Sequence, residues 1–430
     1  MTNFLYGLNQ VNLDVRQLKD LCEPGGIQTG PFGSLLHQKD YLLEGTPIIT
    51  VEHLGENRII HEDLPCVSDE DRNRLSRFMM QEGDIIFSRV GSVDRRSLVR
   101  REESGWLFSG RCLRVRPDKT KIDPRYLSWF FGLPSFKEYI RGIAVGATMP
   151  SLNTDILSNI SIPVPPLPEQ RAIADVLSAL DDKIELNRRI NLTLEHLARA
   201  LFKHMFIDNP EGAGWEEKPI GDIVTILGGS TPSTANIDFW EGGSIHWATP
   251  KDLASLQSPI LLDTNNTITE LGLKQISSGL LPVGTVLLSS RAPIGYMVIT
   301  QIPVAINQGF IGIKCTESMP NYYILNWLKF NLEEIIGRAN GTTFLEISKS
   351  NFRPMLLKIP PTELMETFVS VVEPLYKKMT TNLIESSTLA ELRDTLLPKL
   401  MSGQVRVKPI VTTALDANTD ERLIEVNDEA

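Results

Sequence analysis

Apolar side chains recur at alternating intervals of four and three residues along two stretches of the chain, residues 168–206 and 363–403. This spacing places them on one face of an α-helix and is typical of a coiled-coil seam. Each predicted helix spans about 39 residues and is therefore roughly 58 Å long. We expect the second helix to be broken near Pro374 and Pro398, because an interior proline removes a helical hydrogen bond.

The predicted seam carries a polar residue at the same point of each helix. Asn187 in the first helix and Asn382 in the second occupy equivalent places, and each is followed four residues later by another polar residue. We predict that the two helices pair antiparallel with Asn187 opposite Asn382, because a buried polar pair fixes the register of such a seam. The alternative is that each apolar stripe packs only on its own globular domain.

The helices belong to an internal repeat. Residues 146–166 align with residues 341–361 at an offset of 195, and the offset continues without a gap for about forty further residues. Self-similarity at a fixed spacing is the signature of a duplicated unit. We therefore interpret the chain as two copies of one unit and expect the copies to be related by a pseudo-two-fold axis.

Each copy begins with a mixed segment in which short apolar runs, such as residues 85–87 and 286–288, alternate with glycine, proline and asparagine. Such runs are typical of strands in an α+β or α/β domain. The predicted organisation is a first globular domain at 1–167, a central helix at 168–206, a linker at 207–215, a second globular domain at 216–362, a distal helix at 363–403 and an acidic tail at 404–430.

Composition excludes several classes of protein. At 430 residues, with 42% apolar and 22% charged residues, the chain is long enough for two or three packed domains. No apolar run approaches the ~18 residues needed to cross a bilayer, and the first residues lack the pattern of a secretory signal. The four cysteines include no C-x-x-C pair, which argues against a disulfide framework and a zinc site. We expect a soluble, cytoplasmic protein without a metal.

Charge is distributed unevenly. The net charge is −10, yet residues 72–141 hold 16 basic and 8 acidic residues, a difference of +8. Residues 404–430 hold 3 basic and 6 acidic residues, a difference of −3. A basic stretch inside an acidic chain is compatible with a nucleic-acid partner, although such domains are usually basic overall.

Catalytic patterns are absent from the sequence. It contains no G-x-x-x-x-G-K-[ST], G-x-G-x-x-G or G-x-S-x-G motif, and its six histidines form no H-x-x-x-H pair. The Asn/Asp-Pro-Pro-Tyr/Phe motif of amino-methyltransferases does not occur either. We therefore assign no catalytic residue and predict that the chain is not an enzyme by itself.

Candidate binding residues lie where the predicted strands end. Arg89 and Arg291 each follow an apolar run at the same place in the repeat, on loops that would be free to reach a phosphate or a base edge. The alternative is that these arginines solvate a loop or pair with carboxylates. Together with nearby hydroxyl, amide and guanidinium groups, the candidates are Arg89, Ser92, Arg95, Arg96, Ser230, Thr231, Ser290, Arg291, Asn307 and Gln308.

Four longer segments resemble a known family. They are GIQTGPFGSLLHQKDY (26–41), IPVPPLPEQRAIADVLSALDDKIELNRRI (162–190), GGSTPSTANIDFWEGGSIHWATPKDL (228–253) and GTVLLSSRAPIGYMVITQIPVAINQGFIGIK (284–314). With the terminal SGQVRV, they are similar to the specificity (S) subunit of type I restriction–modification systems. The P-L-P-E-Q-x-x-I-A pattern before a long helix is the most specific part, and the second copy departs from it with PPTELMETFVSVV.

The resemblance implies a non-catalytic reader of double-stranded DNA. Each globular domain would be a target-recognition domain for one half of a bipartite, asymmetric site, and the helices would set the gap. Two modification subunits would bring S-adenosylmethionine and methylate adenine, and restriction subunits would add translocation and cleavage that depend on ATP and Mg. No cofactor is expected on this chain. The acidic tail has no counterpart in the resemblance.

Other functions compete with this one. In the same class, the chain would be the recognition subunit of a type IIG-like or methyltransferase-only assembly, and the sequence does not separate these. In a different class, it would be a two-domain scaffold that pairs proteins through its helices without touching DNA. Loss of DNA binding on removing the basic loops would exclude the scaffold.

Overall fold

The structure is a computed structural model that describes residues 14–146, 148–254, 256–341 and 345–407. The chain divides into two compact units, Met1–Asp182 with Leu389–Ala430, and Lys183–Thr388. Most of the predicted acidic tail lies outside the described residues. Because the division falls inside both long helices, each unit is described with the part of each helix that it contains.

The first unit contains a mixed domain of three small sheets. The strands are β1 (Asp14–Gln17), β2 (Gln28–Thr29), β3 (Thr46–Ile49), β4 (Cys66–Val67), β5 (Ile85–Ser88), β6 (Arg96–Leu98), β7 (Leu107–Phe108), β8 (Cys112–Val115) and β9 (Ser161–Val164), and the helices are α1 (Asp69–Arg74), α2 (Pro124–Phe131), α3 (Pro134–Ile143) and α4 (Thr154–Ser158). The sheet orders are β2-β8-β5-β6, β4-β3-β7 and β1-β9.

Local sequence explains the central elements of this domain. The predicted apolar run at residues 85–87 forms β5, which is buried along its whole length and lies between β8 and β6. Helix α2 begins where the Asp123 carboxylate accepts hydrogen bonds from the backbone N–H groups of Arg125 and Tyr126, which is the usual contribution of an aspartate N-cap. The aromatic residues of α2 pack in the same apolar cluster as β5.

Helix α5 (Leu167–Phe202) follows β9 and continues as a π-helical turn, Lys203–Ile207. The second domain then repeats the arrangement of the first. Its strands are β10 (Glu216–Pro219), β11 (Thr225–Gly228), β12 (Ile245–Ala248), β13 (Ile260–Leu261), β14 (Asn266–Ile268), β15 (Val286–Ser289), β16 (Met297–Thr300), β17 (Ala305–Ile306), β18 (Phe310–Lys314) and β19 (Leu356–Ile359), and its helices are α6 (Ile220–Ile223), α7 (Pro250–Ala254), α8 (Glu270–Leu273), α9 (Asn321–Phe330), α10 (Leu332–Gly337) and α11 (Lys349–Phe352).

The sheet orders reveal the duplication. The second domain has the orders β11-β18-β15-β16-β13, β14-β12-β17 and β10-β19. Except for the added β13, each order matches one in the first domain: β15 corresponds to β5, β16 to β6, β17 to β7 and β18 to β8. In both domains the strand that opens the domain pairs antiparallel with the strand before the long helix. The predicted α+β duplication is therefore present in the described residues.

Helix α12 (Thr362–Met401) follows β19 and is continuous. The prediction that it breaks near Pro374 and Pro398 is wrong. A proline removes one helical hydrogen bond, but buried residues on both sides of each proline hold the helix in place. Val372 and Tyr376 flank Pro374 in the apolar cluster of the second unit, and Leu397 and Leu400 flank Pro398 in that of the first.

The two long helices contact each other through the predicted polar layer. In the second unit, Asn187 Nδ2 lies 3.4 Å from the Asn382 carbonyl oxygen, and Asn382 Nδ2 donates to Asn191 Oδ1 at 2.8 Å. All three asparagines are buried. Asn187 also donates to Ser386 Oγ at 3.2 Å. Asn187 contacts Ser386, whereas Asn191, four residues later in α5, contacts Asn382, four residues earlier in α12. The helix segments in this unit are therefore antiparallel.

The alternative prediction, that the apolar stripe of each helix packs on a globular domain, is also partly correct. Ile173 and Leu177 of α5 and Leu397 and Leu400 of α12 join the apolar cluster of the first domain. In the second unit, Ala198 of α5 and residues of α12 join the cluster of the second domain. Each helix therefore packs on a globular domain along part of its stripe and contacts the other helix at the polar layer.

Candidate nucleic-acid interface

Three loops of the first domain meet around Arg89. The backbone N–H of Arg89, directly after β5, donates to the Arg111 carbonyl at 2.8 Å, and the Arg89 carbonyl accepts from the N–H of Leu152 at 2.8 Å. The guanidinium donates through Nη1 to the Gly110 carbonyl at 3.2 Å and lies 5.8 Å from the centre of the Phe32 ring. Residues 30–32, 89–95 and 109–111 therefore form one group, which we name loop cluster 1.

Corresponding loops of the second domain form a matching group. The N–H of Ser290, after β15, donates to the Gly309 carbonyl at 2.8 Å, and the Ser290 carbonyl accepts from the N–H of Ile347 at 3.0 Å. The N–H of Ser230 donates to the Ile306 carbonyl at 3.1 Å. We name residues 229–231, 290–295 and 307–309 loop cluster 2.

This hydrogen-bond pattern corrects the predicted correspondence of the two arginines. Ser290, not Arg291, makes the backbone bonds that Arg89 makes in the first copy. Arg291 instead occupies the place of Val90, since the bridge between Arg291 and Glu346 repeats the bridge between Val90 and Ser151. The loops after β5 and β15 have equal length, since the bond from the Ser88 N–H to the Arg95 carbonyl corresponds to that from the Ser289 N–H to the Tyr296 carbonyl. The arginine therefore stands one position later in the second copy, without an insertion.

The first-copy candidates divide into exposed and buried residues. Ser92 and Arg95 are exposed, and Arg95 has only a weak 3.5 Å bond to the Val51 carbonyl. The expectation that Arg96 faces a ligand is wrong, because it is 1% exposed. Its Nη1 lies 2.6 Å from Glu56 Oε1, and its Nε donates to the Ser128 carbonyl at 3.0 Å. Arg96 therefore holds the domain together internally.

In the second copy, four of the predicted residues lie together. Thr231 Oγ1 donates to Gln308 Oε1 at 2.6 Å, and both side chains are exposed. Asn307 Oδ1 accepts from the Gly309 N–H at 2.9 Å, so this amide oxygen shapes its own loop. Ser230 donates through Oγ to the Gln275 carbonyl at 3.1 Å. Gln308 is thus the amide most available to a ligand.

The remaining two second-copy candidates differ in accessibility. Ser290 is 3% exposed, so the prediction that its side chain reaches a ligand is wrong; the same backbone bonds that place it in loop cluster 2 also bury it. Arg291 is partly exposed and lies 3.7 Å from Glu346 Oε2, a distance at which the pair is weak. Arg291 therefore keeps a guanidinium near the surface of loop cluster 2.

Close backbone approach explains a glycine in each cluster. A Cβ atom on Gly30 would collide with the Ser109 carbonyl, and one on Gly229 would collide with the Ile306 carbonyl. Both glycines thus bring the loop after β2 or β11 against the chain between the next two strands of the copy. In the first copy it meets Ser109, between β7 and β8, and in the second it meets Ile306, the last residue of β17. Loops anchored in this way keep a fixed shape while their remaining side chains vary.

Sequence reasoning missed Arg111. It is exposed, lies in loop cluster 1 beside Arg89, and makes no side-chain hydrogen bond or ion pair with the described residues. Aligning the loop before β8 with the loop before β18 would have found it, since residues 109–111 of the first copy correspond to residues 307–309 of the second. An unpaired guanidinium on an anchored loop is suited to bind a phosphate or a guanine edge.

The basic stretch at residues 72–141 does not form one continuous patch. Several of its guanidiniums are buried or paired: Arg116 binds Asp84 through two nitrogens at 2.7 Å, and Arg141 pairs with Asp94 at 2.9 Å. Burial lowers the pKa of Arg114, and the neighbouring charge of Arg116 lowers it further. The local charge of +8 therefore overstates the charge that a ligand would meet.

Burial affects the chemistry of three of the four thiols. Burial raises the pKa of Cys22, Cys112 and Cys315 to about 12, so these thiols stay protonated near neutral pH. Within the described ranges, no three histidine, cysteine, aspartate or glutamate side chains are grouped as a metal site would require. No helix in the same ranges is long and apolar enough to cross a membrane.

Two mixed domains of the same topology, each with an anchored loop cluster and each followed by a long helix, define a duplicated two-site recognition protein. The chain belongs to the family described as "Type I restriction modification DNA specificity domain", whose profile matches residues 10–196 and 212–392. The resemblance inferred from the four sequence segments is thereby confirmed.

Individual relatives cover almost the whole chain. The type I restriction enzyme MjaIX specificity subunit of Methanocaldococcus jannaschii is 27% identical over 424 residues, which cover 92% of this chain and 94% of the relative. The HindI specificity subunit of Haemophilus influenzae is 24% identical, with coverage of 81% and 92%. The crystal structure of a type I S subunit from M. genitalium has a similar fold, with a TM-score of 0.58, 18% identity and coverage of 91% and 96%.

Proposed function

We propose that this chain is the sequence-specific DNA-recognition subunit of a type I restriction–modification complex. Loop cluster 1 reads one half of a bipartite site, and loop cluster 2 reads the other half. The observation that carries this proposal is that both domains anchor the same three loops but present different side chains on them. Gln308 stands where the first copy has Gly110, and Arg111 stands where the second copy has Gly309. Two loop clusters with the same backbone arrangement but different exposed side chains are suited to a DNA site whose two halves differ in sequence.

The chain itself performs no chemistry in this proposal. Modification subunits bind S-adenosylmethionine and methylate adenine, and restriction subunits use ATP and Mg for translocation and cleavage. The paired helices set the number of unspecified base pairs between the half-sites. Asn187 and Asn382 fix the register of that pairing, because a slip of one turn would leave these buried amides without partners.

Methylation mapping tests the proposal. Adenine methylation is compared between the host and a strain that lacks only this gene, and the deletion strain is complemented with the intact gene. We expect one bipartite motif with a fixed gap to lose its methylation and to regain it on complementation. Unchanged methylation, together with no DNA binding by the complex with its methyltransferase subunits, would support the scaffold alternative instead.

The helices offer two equivalent surfaces for modification subunits. Leu197 on α5 and Leu392 on α12 are separated by the repeat offset of 195, and they are 46% and 45% exposed. An exposed leucine at the same place in each copy is expected where two identical partners bind. Two modification subunits per chain are the stoichiometry that this repeat favours.

Replacing either of these leucines by arginine should prevent one modification subunit from binding. We expect Leu197→Arg or Leu392→Arg to reduce the co-purified methyltransferase from two subunits to one, and the double variant to lose both, because a charge buried in an apolar contact is costly. Native mass spectrometry of the purified complexes measures the stoichiometry. Leu43→Arg, at a fully exposed leucine of the first domain, is the matched control. Two subunits retained by the double variant would place the docking surface elsewhere.

A further inference from the structure

A buried carboxylate in the first unit forms ion pairs with arginines from three different parts of the chain. Asp181 of α5, whose side chain is 7% exposed, accepts from Arg58 Nε at 3.0 Å and from Arg393 Nη1 at 3.0 Å. Arg100 Nη2 lies 3.8 Å from the same carboxylate. The adjacent Asp182 accepts from Arg58 at 2.6 Å and from Arg100 at 3.1 Å. We name these five residues the arginine clasp.

The clasp joins the first domain to both long helices. Arg58 lies in the loop between β3 and β4, Arg100 follows β6, and Arg393 belongs to α12. The Arg393 guanidinium also lies 5.9 Å from the centre of the Trp129 ring of α2. One carboxylate is therefore bonded to the domain and to the second helix at the same time.

The domain side of the clasp is itself held rigidly. The Arg58 carbonyl accepts from the Gly55 N–H at 2.9 Å and from Ser97 Oγ at 2.7 Å. Glu56, two residues earlier, binds Arg96 of β6 at 2.6 Å and Lys137 of α3 at 2.7 Å. The loop at residues 55–58 thus connects β6 and α3 to α5, and β6 belongs to the sheet that carries loop cluster 1.

The clasp adjoins the apolar contact between α5 and the domain. Asp181 lies four residues beyond Leu177, the last α5 residue of the buried apolar cluster, about 6 Å along the helix. An apolar patch alone is non-directional. Charge-assisted hydrogen bonds at its edge add the direction that fixes the angle.

The second copy shows that the fold does not require these charges. The repeat offset places Tyr376 at the position of Asp181 and Ala198 at that of Arg393. Both are buried in the apolar cluster of the second domain, and Tyr376 makes only a 3.3 Å bond with Asn326. Uncharged residues therefore fill both positions, as is common for replacements of buried ion pairs. The second junction has a different ion pair, between Lys329 of α9 and Glu195 of α5. What distinguishes the first copy is one carboxylate shared by arginines of the domain and of the other long helix.

We propose that Asp181 is a positioning residue that sets the angle of the first recognition domain on its helices, and with it the gap length that the complex accepts between half-sites. The inference rests on the proposed function. Asp181 makes no contact with DNA and positions the domain through its ion pairs with Arg58 and Arg100. Its removal should therefore alter tolerance of the gap without altering the bases that are read.

The test uses the full chain in complex with its methyltransferase subunits. Methylation rates are measured on DNA with the native gap and with gaps one base pair shorter and longer, for the wild type and Asp181→Asn. We expect the preference for the native gap to fall by about tenfold, since displacements near 1 Å change reaction rates by up to about a hundredfold. The base preference within each half-site should stay as in the wild type.

Further variants separate positioning from folding. Arg58→Gln with Arg100→Gln leaves the bond between Asp181 and Arg393 intact and should relax the gap in the same way. Asp14→Asn, which removes the exposed ion pair between Asp14 and Arg16 of the same domain, should keep the native preference. Asp181→Glu should keep part of the preference that Asp181→Asn loses. Thermal unfolding of each complex is measured in parallel.

Each outcome bears on the inference. An unchanged gap preference in the arginine double variant overturns it while leaving the proposed function standing. The same holds if that variant loses activity equally at every gap, because such a loss shows only structural damage. A wild-type complex that methylates no bipartite site overturns both the inference and the proposed function.

Discussion

Replacing Glu56 by alanine is expected to lower the free energy of unfolding by about 3 kcal/mol, because it leaves a buried guanidinium without its carboxylate. The Arg96 side chain has no exposed surface, whereas that of Glu56 is 52% exposed. Removing one partner of a buried pair costs about 3–5 kcal/mol, and the half-exposed carboxylate places this pair at the lower end. Urea unfolding of the purified chain measures the effect.

Two variants show whether the cause is the uncompensated charge. Asp94→Ala breaks the exposed pair with Arg141 and should cost less than about 1 kcal/mol. Adding Arg96→Met to Glu56→Ala should recover much of the lost stability, because an apolar side chain of similar length replaces the unpaired cation. If the double variant is less stable than Glu56→Ala alone, the buried charge is not what destabilises the single variant.

The stabilisation by this pair depends on pH in a defined direction. Burial raises the pKa of Glu56, but the nearby charges of Arg96 and Lys137 outweigh it, so the net pKa is lowered. A carboxylate with a lowered pKa in the folded state stabilises the protein above its unfolded pKa. That contribution is lost as the pH falls through the lowered value. The difference in stability between wild type and Glu56→Ala should therefore shrink in acid.

Arg96 illustrates what the sequence does not reveal. Its position next to Arg95 after a predicted strand suggested a surface loop, but burial depends on partners far away in the chain. Glu56 is 40 residues earlier and Ser128 is 32 residues later. No local pattern announces such a pair. Charge counts over a window therefore overestimate the surface charge whenever some of the guanidiniums are internal.

The helices and the duplication were predictable because their signals are local and periodic. The offset of 195 placed Asn187 and Asn382 at equivalent points, and both lie in the polar layer between the helices. The Asn187 amide lies 3.4 Å from the Asn382 carbonyl, whereas the Asn382 side chain pairs with Asn191. The prolines of α12 misled the prediction, because their local cost is outweighed by tertiary packing. The correspondence of Arg89 with Arg291 failed by one residue, because matching the two arginines by type placed a gap where the backbone hydrogen bonds show none.

Replacing Gln308 by leucine is expected to remove base discrimination at one half of the site only. Gln308 is exposed in loop cluster 2, and Thr231 orients its amide by a 2.6 Å hydrogen bond to Oε1. The second lone pair of Oε1 and the two amide hydrogens remain for a base, and glutamine pairs with adenine in this way. Such a bidentate contact contributes about 1–3 kcal/mol of discrimination, roughly 5- to 150-fold.

The experiment compares methylation of the mapped site with sites carrying single base changes in each half. The wild type should penalise changes in both halves, whereas Gln308→Leu should lose the penalty at one position of one half and keep the penalties of the other. Arg111→Ala, at the corresponding loop of cluster 1, is the matched counterpart. A base contact by Arg111 would relax one position of the opposite half, and a phosphate contact would weaken all sites uniformly. Loss of discrimination in both halves from Gln308→Leu alone would contradict the assignment of one loop cluster to each half-site, because a side chain on loop cluster 2 makes no direct contact with bases read by loop cluster 1.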